Sequence, residues 1–460
     1  MRHAIFAGCF SILVASSALA NAKITIRNVD DPNVGLNDTT PAEPIGGNNG
    51  TTIGEQRMIA LQAAANTWGN LIDSAVEIVI DVHFQSLTPC DATSGVLAQA
   101  GPTHYVMNFE NAPKQDVWYP VALASKFARK DLSTDSDIAA TFNLDVDNST
   151  CLGTTNWYYG LDDKHGSNID IFTVALHEFA HGLGFAGTYS SRDGSLFQGK
   201  PGIFEIHTLD DTTGLRWDQM TDAQRLTSQT NDQSLVWDGE MSRSAAAKLL
   251  GPTPFLVANG TTYRIGSASF GTKVSIVGVS GNVVAAANDV LTDGCTALTN
   301  PAAVVGRIAL IDRGNCTFVV KAKNAQNAGA IAAIIVDNVV ASSPNQLGGS
   351  DPSINIPVVS VTKNDGDTLR SQIPNTLSAF IAADPQHLSG TDANGFVKLY
   401  APSSFSGGSS VHHWDTSASP NLLMEPSINS DLTHGVDVTI EQLFDMGWTE
   451  PTGGRKRLRR

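Results

Sequence analysis

At 460 residues, with 42% hydrophobic and 7% aromatic side chains, the chain has material for more than one packed core, which argues against a disordered chain or a membrane-embedded body. Its formal net charge is −16 although Arg455, Lys456, Arg457, Arg459 and Arg460 crowd the last six positions, so the body is more acidic still. Such a surface repels nucleic acid, and no nucleic-acid partner is expected.

Residues 1–22 begin with Arg2, run through an apolar stretch from Ala4 to Val14 and end in Ala20-Asn21-Ala22, the layout of a secretory signal peptide cleaved after Ala22. That stretch is shorter than the roughly 20 residues needed to cross a bilayer, and no later stretch is long enough, so a secreted protein, extracellular or periplasmic, without a transmembrane anchor is expected. Cys9 leaves with the leader. Cys90, Cys151, Cys295 and Cys316 remain, and export favours two disulfides. Of the three connectivities, closure of the shorter loops selects Cys90 with Cys151 and Cys295 with Cys316.

Lys23 to Arg27 reads as a strand, Asp30 to Thr52 as a Gly/Asn/Thr/Pro-rich loop and Glu55 to Leu71 as a helix. Val76, Ile78, Ile80, Val82 and Phe84 alternate with polar residues, the period of a half-buried strand. The opening is therefore that of an α+β unit. The Asp-rich stretch from Asp131 to Asp147 reads first as solvated loops and second as a calcium site.

Between Ser167 and Phe185, Ser167 and Asp170 have capping-box spacing ahead of an apolar run, which predicts a helix start. On that helix His177, His181, Thr173 and Asp170 share one face, while Phe172, Ala175, Leu176, Phe179 and Leu183 share the other. His177-Glu178-Phe179-Ala180-His181 thus sets two imidazoles one turn apart with a carboxylate beside them, a zinc-binding pattern in which Glu178 is the general base. The plain alternative is a structural histidine pair. Gly182 and Gly184 follow where the helix should end.

A catalytic zinc usually takes three protein ligands. In the compact metzincin spacing the third would fall at the position of Gly187, so it must come from elsewhere. Glu205 is one candidate, in a thermolysin-like arrangement, although Phe204, Ile206 and Leu209 around it read as ordinary strand and loop. His412 and His413 are the others; in extended backbone, neighbours point to opposite sides, so one of the pair would bind and the other not.

From 253 to 385 the text turns Val/Ala/Gly-rich, with strand signals at Ile308 to Asp312, Ile331 to Val336 and Pro357 to Val361. Phe318, Ala322, Ala325 and Gly329 recur at helical spacing between the first two, which predicts a βαβ-like unit with its own core and no evident catalytic group. Residues 386–450 follow with a Gly/Ser-rich loop at Ser403 to Ser410 and a helix near Ile440 to Met446, and residues 451–460 read as a basic disordered tail.

Ser409-Ser410-Val411-His412-His413-Trp414, followed by Asn421-Leu422-Leu423-Met424-Glu425-Pro426, resembles the leishmanolysin-like metzincins. The resemblance implies a zincin/metzincin-like α+β catalytic domain in two parts, 23–252 and 386–450. It also implies His413 as third ligand and a methionine turn with Met424 beneath the metal, with His412 left as the competing ligand and core packing as the plain role of Met424. Val304 to Gly314, Cys316-Thr317-Phe318 and the helix from Lys321 to Gly329 resemble a protease-associated (PA) domain. That likeness implies an inserted α/β domain over 253–385 which engages substrate or partner protein and supplies no catalytic residue.

Taken together, the expectation is a secreted zinc-dependent endopeptidase acting on protein or peptide substrates, with Zn2+ held by His177, His181 and His413 and Ca2+ as a further candidate ion. Two rivals stand beside it: a non-catalytic secreted zinc-containing binding protein, and a metal-dependent esterase or amidase acting on non-peptide substrates. The strand-like segment directly after the leader leaves zymogen control open.

Overall fold

The computed structural model describes residues 21–451 except Thr93, Asp289, Val290, Ser342 and Ser430. Residues 1–20 of the expected leader, Cys9 among them, and residues 452–460 of the expected tail lie outside the described residues. Asn21 and Ala22, at the end of the expected leader, are described: Ala22 N–H donates to the Ile72 carbonyl at 3.0 Å.

Ile78, Ile80, Val82 and Phe84 point to one side of a strand and are all buried, because their alternation leaves one apolar face to be covered. This strand, β2 (Ile78–Gln85), pairs in parallel with β1 (Ile24–Asn28) and with β4 (Ile138–Asn143), and β3 (Ala98–Pro102) closes the sheet antiparallel to β4. The order is β1-β2-β4-β3. Two helices pack together against it, α1 (Ile53–Leu71) and α2 (Ile171–Leu183). Thr52 caps α1 by accepting from Glu55 N–H, and Ala60, Leu61, Ala64, Ala65 and Trp68 form its fully buried stripe. Trp68 Nε1–H then donates to the Leu176 carbonyl at 3.0 Å, tying the helices at mid-length.

Helix α2 starts later than capping-box spacing from Ser167 suggests. Asp170 is its N-cap and accepts from Phe172 N–H at 3.2 Å, so the first helical residue is Ile171. The two glycines near its end have separate causes. Gly182 lies inside the helix, where an added Cβ would sit 2.3 Å from Ile138 Cγ2, so its bare backbone allows α2 to lie close on the sheet. Gly184 is the turn, with φ +136° and its N–H donating to the Ala180 and His181 carbonyls.

The chain leaves this unit through β5 (Pro252–Ala258) and returns through β12 (Ser378–Leu388), and these strands pair with Pro252 opposite Leu388. Entry and exit are therefore side by side, which lets a long segment sit within the fold without separating the parts it interrupts. Between them lie β6 (Thr261–Arg264), β7 (Gly266–Ser267), β8 (Val279–Ala285), β9 (Ile308–Asp312), β10 (Ala332–Val336) and β11 (Val358–Val361). The eight strands form one sheet in the order β6-β5-β12-β8-β9-β10-β11-β7. Strands β8 to β11 are parallel neighbours, with α3 (Phe318–Asn327) as the crossover from β9 to β10, and α4 (Lys363–Gln372) follows β11 on the way to β12. Apolar cores lie on the two faces of this sheet, one around Leu310, Ile334 and Ile381 and the other around Ile311, Ile335 and Ala322, both drawn from the inserted segment alone.

The remaining chain completes the first core. Trp414, Leu422, Leu423, Met424, Leu443 and Trp448 join the same buried cluster as Leu61, Trp68 and Leu176, and a final helix, α5 (Thr439–Met446), closes it. The disulfides are Cys90–Cys151 and Cys295–Cys316. No helix among the described residues is long and apolar enough to cross a membrane.

Candidate metal centre

His177 and His181 stand one turn apart on α2, with ring centroids 4.9 Å apart. His413 arrives from the far part of the chain, its ring 5.1 Å from that of His177 and 4.9 Å from that of His181. One nitrogen from each ring lies within 4.8 Å of the other two.

Backbone carbonyls orient all three rings. His177 Nδ1 donates to Leu423 O at 2.7 Å, His181 Nδ1 to Phe185 O at 2.8 Å and His413 Nδ1 to Ser409 O at 2.8 Å. A carbonyl can only accept, so each Nδ1 carries the proton and each Nε2 is left as a lone pair. His177 Nε2 and His413 Nε2 face each other at 3.2 Å, where two lone pairs repel unless a cation lies between or beside them. Burial holds His177 down to about 3 and His181 to about 4, and burial together with the other histidines holds His413 well below the ordinary value, so the rings are neutral. Three neutral, converging imidazole nitrogens with oriented second nitrogens form a donor set that suits zinc.

Local sequence explains each carbonyl. The Gly184 turn swings Phe185 back over the last turn of α2, so its carbonyl meets His181. Leu423 is held where the chain turns: its N–H donates to Asp437 at 2.5 Å, and the neighbouring Leu422 N–H donates to Glu425 at 3.0 Å. Ser409 lies in the glycine-containing loop that precedes His413.

Glu178 is buried, its carboxyl is pushed up to about 8 by desolvation, and its Oε2 has no hydrogen-bond partner. A buried carboxyl oxygen with no partner is costly unless something else satisfies it, and a cation and its water beside the histidines would do so. The residues therefore fit a catalytic metal: three histidine nitrogens to hold it and a buried carboxyl with an unpartnered oxygen, which a bound cation would favour as carboxylate.

Glu205 is spent elsewhere. It accepts from the N–H groups of Thr188 at 2.5 Å, Tyr189 at 3.1 Å and Gly202 at 2.9 Å, which fastens the loop after α2 and leaves it outside the histidine cluster. His412 points away from His413, its ring against Phe204 and Tyr189 at centroid distances of 5.2 Å and 5.8 Å. Met424 is fully buried, and its carbonyl accepts from Trp414 N–H at 2.7 Å, linking the turn to the residue after His413.

The Asp-rich stretch 131–147 forms no converging ligand group among the described residues. Asp147 instead accepts from Tyr159 at 2.6 Å and from the buried Arg57 at 3.1 Å, and Asp137 accepts from Val79 N–H at 2.9 Å. Sequence reasoning missed a second cluster, Asp163, Asp170 and His434. His434 Nε2 lies 2.7 Å from Asp170 Oδ2, so the cap of α2 is tied to the loop that follows Met424. Asp170 is legible only as the capping-box partner of Ser167, and nothing local in the sequence announces its histidine partner.

A family profile described as PA domain matches residues 279–369, and the inserted unit is a PA domain. A second profile, described as SPBPB7E8-like, matches residues 49–209, a stretch that contains His177, Glu178 and His181. Aminopeptidase YwaD of Bacillus subtilis is 43% identical over 90 residues, 18% of this chain and 19% of that one. Probable leucine aminopeptidase 2 of Aspergillus fumigatus is 35% identical over 96 residues, 20% of this chain and 19% of that one. ER degradation-enhancing alpha-mannosidase-like protein 3 of Homo sapiens is 38% identical over 116 residues, 24% of this chain and 12% of that one. The chain thus spans about a fifth or less of the length of these relatives.

Among solved structures, a zinc aminopeptidase from Bacillus subtilis is 27% identical over 31% of this chain and 35% of that one, with a TM-score of 0.24. A peptidase M28 precursor from Shewanella amazonensis is 14% identical over 31% of this chain and 40% of that one, with a TM-score of 0.21. The expected zincin/metzincin-like fold class is therefore not carried forward: the likenesses found are to a zinc aminopeptidase and a peptidase M28 precursor, each over about a third of this chain. The physical reason for the misreading is that a short ligand motif sets donor spacing on one helix and says little about the sheet around it.

Proposed function

We propose that the protein is a secreted zinc-dependent peptidase whose metal is held by His177, His181 and His413 and whose general base is Glu178. The observation that carries this is the convergence of three ring nitrogens, each ring oriented by a backbone carbonyl, beside a buried carboxyl with an unpartnered oxygen. Zinc bound there would polarise a substrate carbonyl and bring the pKa of a bound water to about 7. With the cation bound Glu178 would be ionised, would take a proton from that water and would return it to the departing amine, so no covalent nucleophile is needed. The carbonyls of Leu423, Phe185 and Ser409 keep the imidazoles in one tautomer throughout. On this reading 23–252 and 386–450 are the catalytic parts, and the PA domain within 253–385 engages substrate or a partner protein.

We take internal peptide bonds as the substrate. In support, Glu205, the carboxylate of the thermolysin-like alternative, is occupied by backbone amides and is not free to anchor an α-amino group. The names of the aminopeptidase relatives favour the second reading, removal of N-terminal residues. Glu178 speaks against a non-catalytic zinc protein, because a structural site takes four protein ligands and has no use for an unpartnered carboxylate.

The test uses purified protein with measured zinc content, a quenched peptide blocked at both ends and an aminoacyl reporter with a free amine. Hydrolysis of the blocked peptide that stops with a chelator and returns with zinc is expected. Activity on the aminoacyl reporter alone would establish the second reading. A zinc-replete protein inert on both, or active only on esters, would sink the peptidase proposal.

A further inference from the structure

The segment that carries His413 continues through Trp414, Asp415 and Thr416, and the inserted unit reaches it twice. Arg264, the last residue of β6, places Nη2 3.5 Å from Asp415 Oδ1 and Nη1 3.3 Å from Asp232 Oδ2. Gln346, in the loop between β10 and β11, donates from Nε2 to the Thr416 carbonyl. Asp415 is buried, and it also accepts from Gln233 Nε2 at 3.0 Å and Ser417 N–H at 2.9 Å.

Upstream of that grip the catalytic unit holds the same segment through its backbone. Tyr400 N–H donates to His413 O at 2.8 Å, Trp414 N–H to Met424 O at 2.7 Å and Asp415 N–H to Lys398 O at 2.9 Å. His177 and His181 are fixed by their helix. His413 sits on irregular chain, so its placement depends on what anchors 414–416, and two of those anchors are side chains of a unit that supplies no ligand.

We propose that Arg264 and Gln346 are positioning residues through which the PA-containing unit sets the third histidine, so that the metal affinity of the centre depends on the inserted unit. This rests on reading the three histidines as a zinc site. The physical basis is preorganisation. A ligand held at its bound position loses little freedom on coordination, whereas a loosened one weakens binding although every ligand atom is still present. Outer partners that orient ligands are worth roughly 10- to 100-fold in metal affinity.

The test measures zinc affinity of the full-length protein by competition with a chromophoric chelator, for wild type, Arg264→Gln, Gln346→Ala and Arg370→Gln. Arg370 pairs with Asp312 inside the inserted unit and away from Asp415, so its variant weakens the unit without touching the grip. Arg264→Gln should weaken zinc binding about tenfold, Gln346→Ala should weaken it by less, and Arg370→Gln should leave it unchanged while lowering the unfolding midpoint. Wild-type affinity in both Arg264→Gln and Gln346→Ala overturns the inference, and so does an equal loss in Arg370→Gln. If Arg264→Gln does not fold, Gln346→Ala decides alone. A wild-type protein that takes up no zinc refutes the proposed function instead, which keeps the two failures distinct.

Discussion

Glu178→Gln is expected to keep zinc at the wild-type stoichiometry and to lose about three orders of magnitude in kcat on peptide substrates, the scale of a general base. The amide preserves the shape of the carboxyl but cannot take a proton. Its effect should fall on kcat and leave KM nearly unchanged, because the step removed is proton transfer and not binding. The fold should not suffer, since Oε2 of the native carboxyl makes no hydrogen bond that the substitution would break. Near-normal turnover by a pure, zinc-loaded preparation would remove Glu178 from the mechanism.

The same variant separates two opposing pH effects in the metal-free protein. Burial raises Glu178 to about 8, above its value of 4.5 in the unfolded chain, so between these values the folded state binds more protons and stability falls as pH rises. The histidines act the other way. Their folded pKa values, about 3 for His177 and about 4 for His181, lie below 6.5, so stability falls as pH drops below about 6.5. Denaturant titrations of apo protein should therefore show wild type weakening more steeply than Glu178→Gln from neutral pH to about pH 8, the difference being the Glu178 contribution, because other buried carboxyls such as Glu425 titrate alike in both. Both should weaken in acid, and wild-type and Glu178→Gln curves of equal slope towards pH 8 would contradict the buried, unpartnered carboxyl.

What could be read from the sequence follows the range of the interactions involved. His177, Glu178 and His181 share one helix, so spacing alone puts them on one face, and the alternation from Ile78 to Phe84 likewise names the buried side of β2 without any tertiary knowledge. The caps and turns were less legible. Gly182 reads as a helix terminator, yet its role is a close approach to Ile138, a residue from another strand. Other features had no local signature. Glu205 looks like a ligand by type, and only the three backbone N–H groups that converge on it show it to be structural. Arg264 lies within the long insertion and Asp415 beyond it, and their approach depends on how the inserted unit sits against the chain that carries His413. The fold class failed for a related reason: the resemblance rested on a few residues around the metal, which constrain ligand chemistry more tightly than sheet topology.

Replacement of His413 by Ala should produce the other large effect, and its neighbours supply the controls. His413 offers Nε2 to the cluster with Nδ1 held by Ser409 O, so the variant removes one of three protein donors. Zinc affinity should fall by several orders of magnitude and hydrolysis with it, because two histidines alone hold zinc poorly. His412→Ala should retain zinc, since that ring faces Phe204 and Tyr189, and its loss should register as a lower unfolding midpoint from the cavity left behind. Glu205→Gln should also retain zinc while destabilising the loop at Thr188, Tyr189 and Gly202, because an amide presents one acceptor oxygen where the carboxylate presents two. Zinc stoichiometry and unfolding midpoints, measured on all three purified variants, test the assignment. Zinc loss confined to His412→Ala would move the ligand by one residue, and loss confined to Glu205→Gln would exchange the third histidine for a carboxylate.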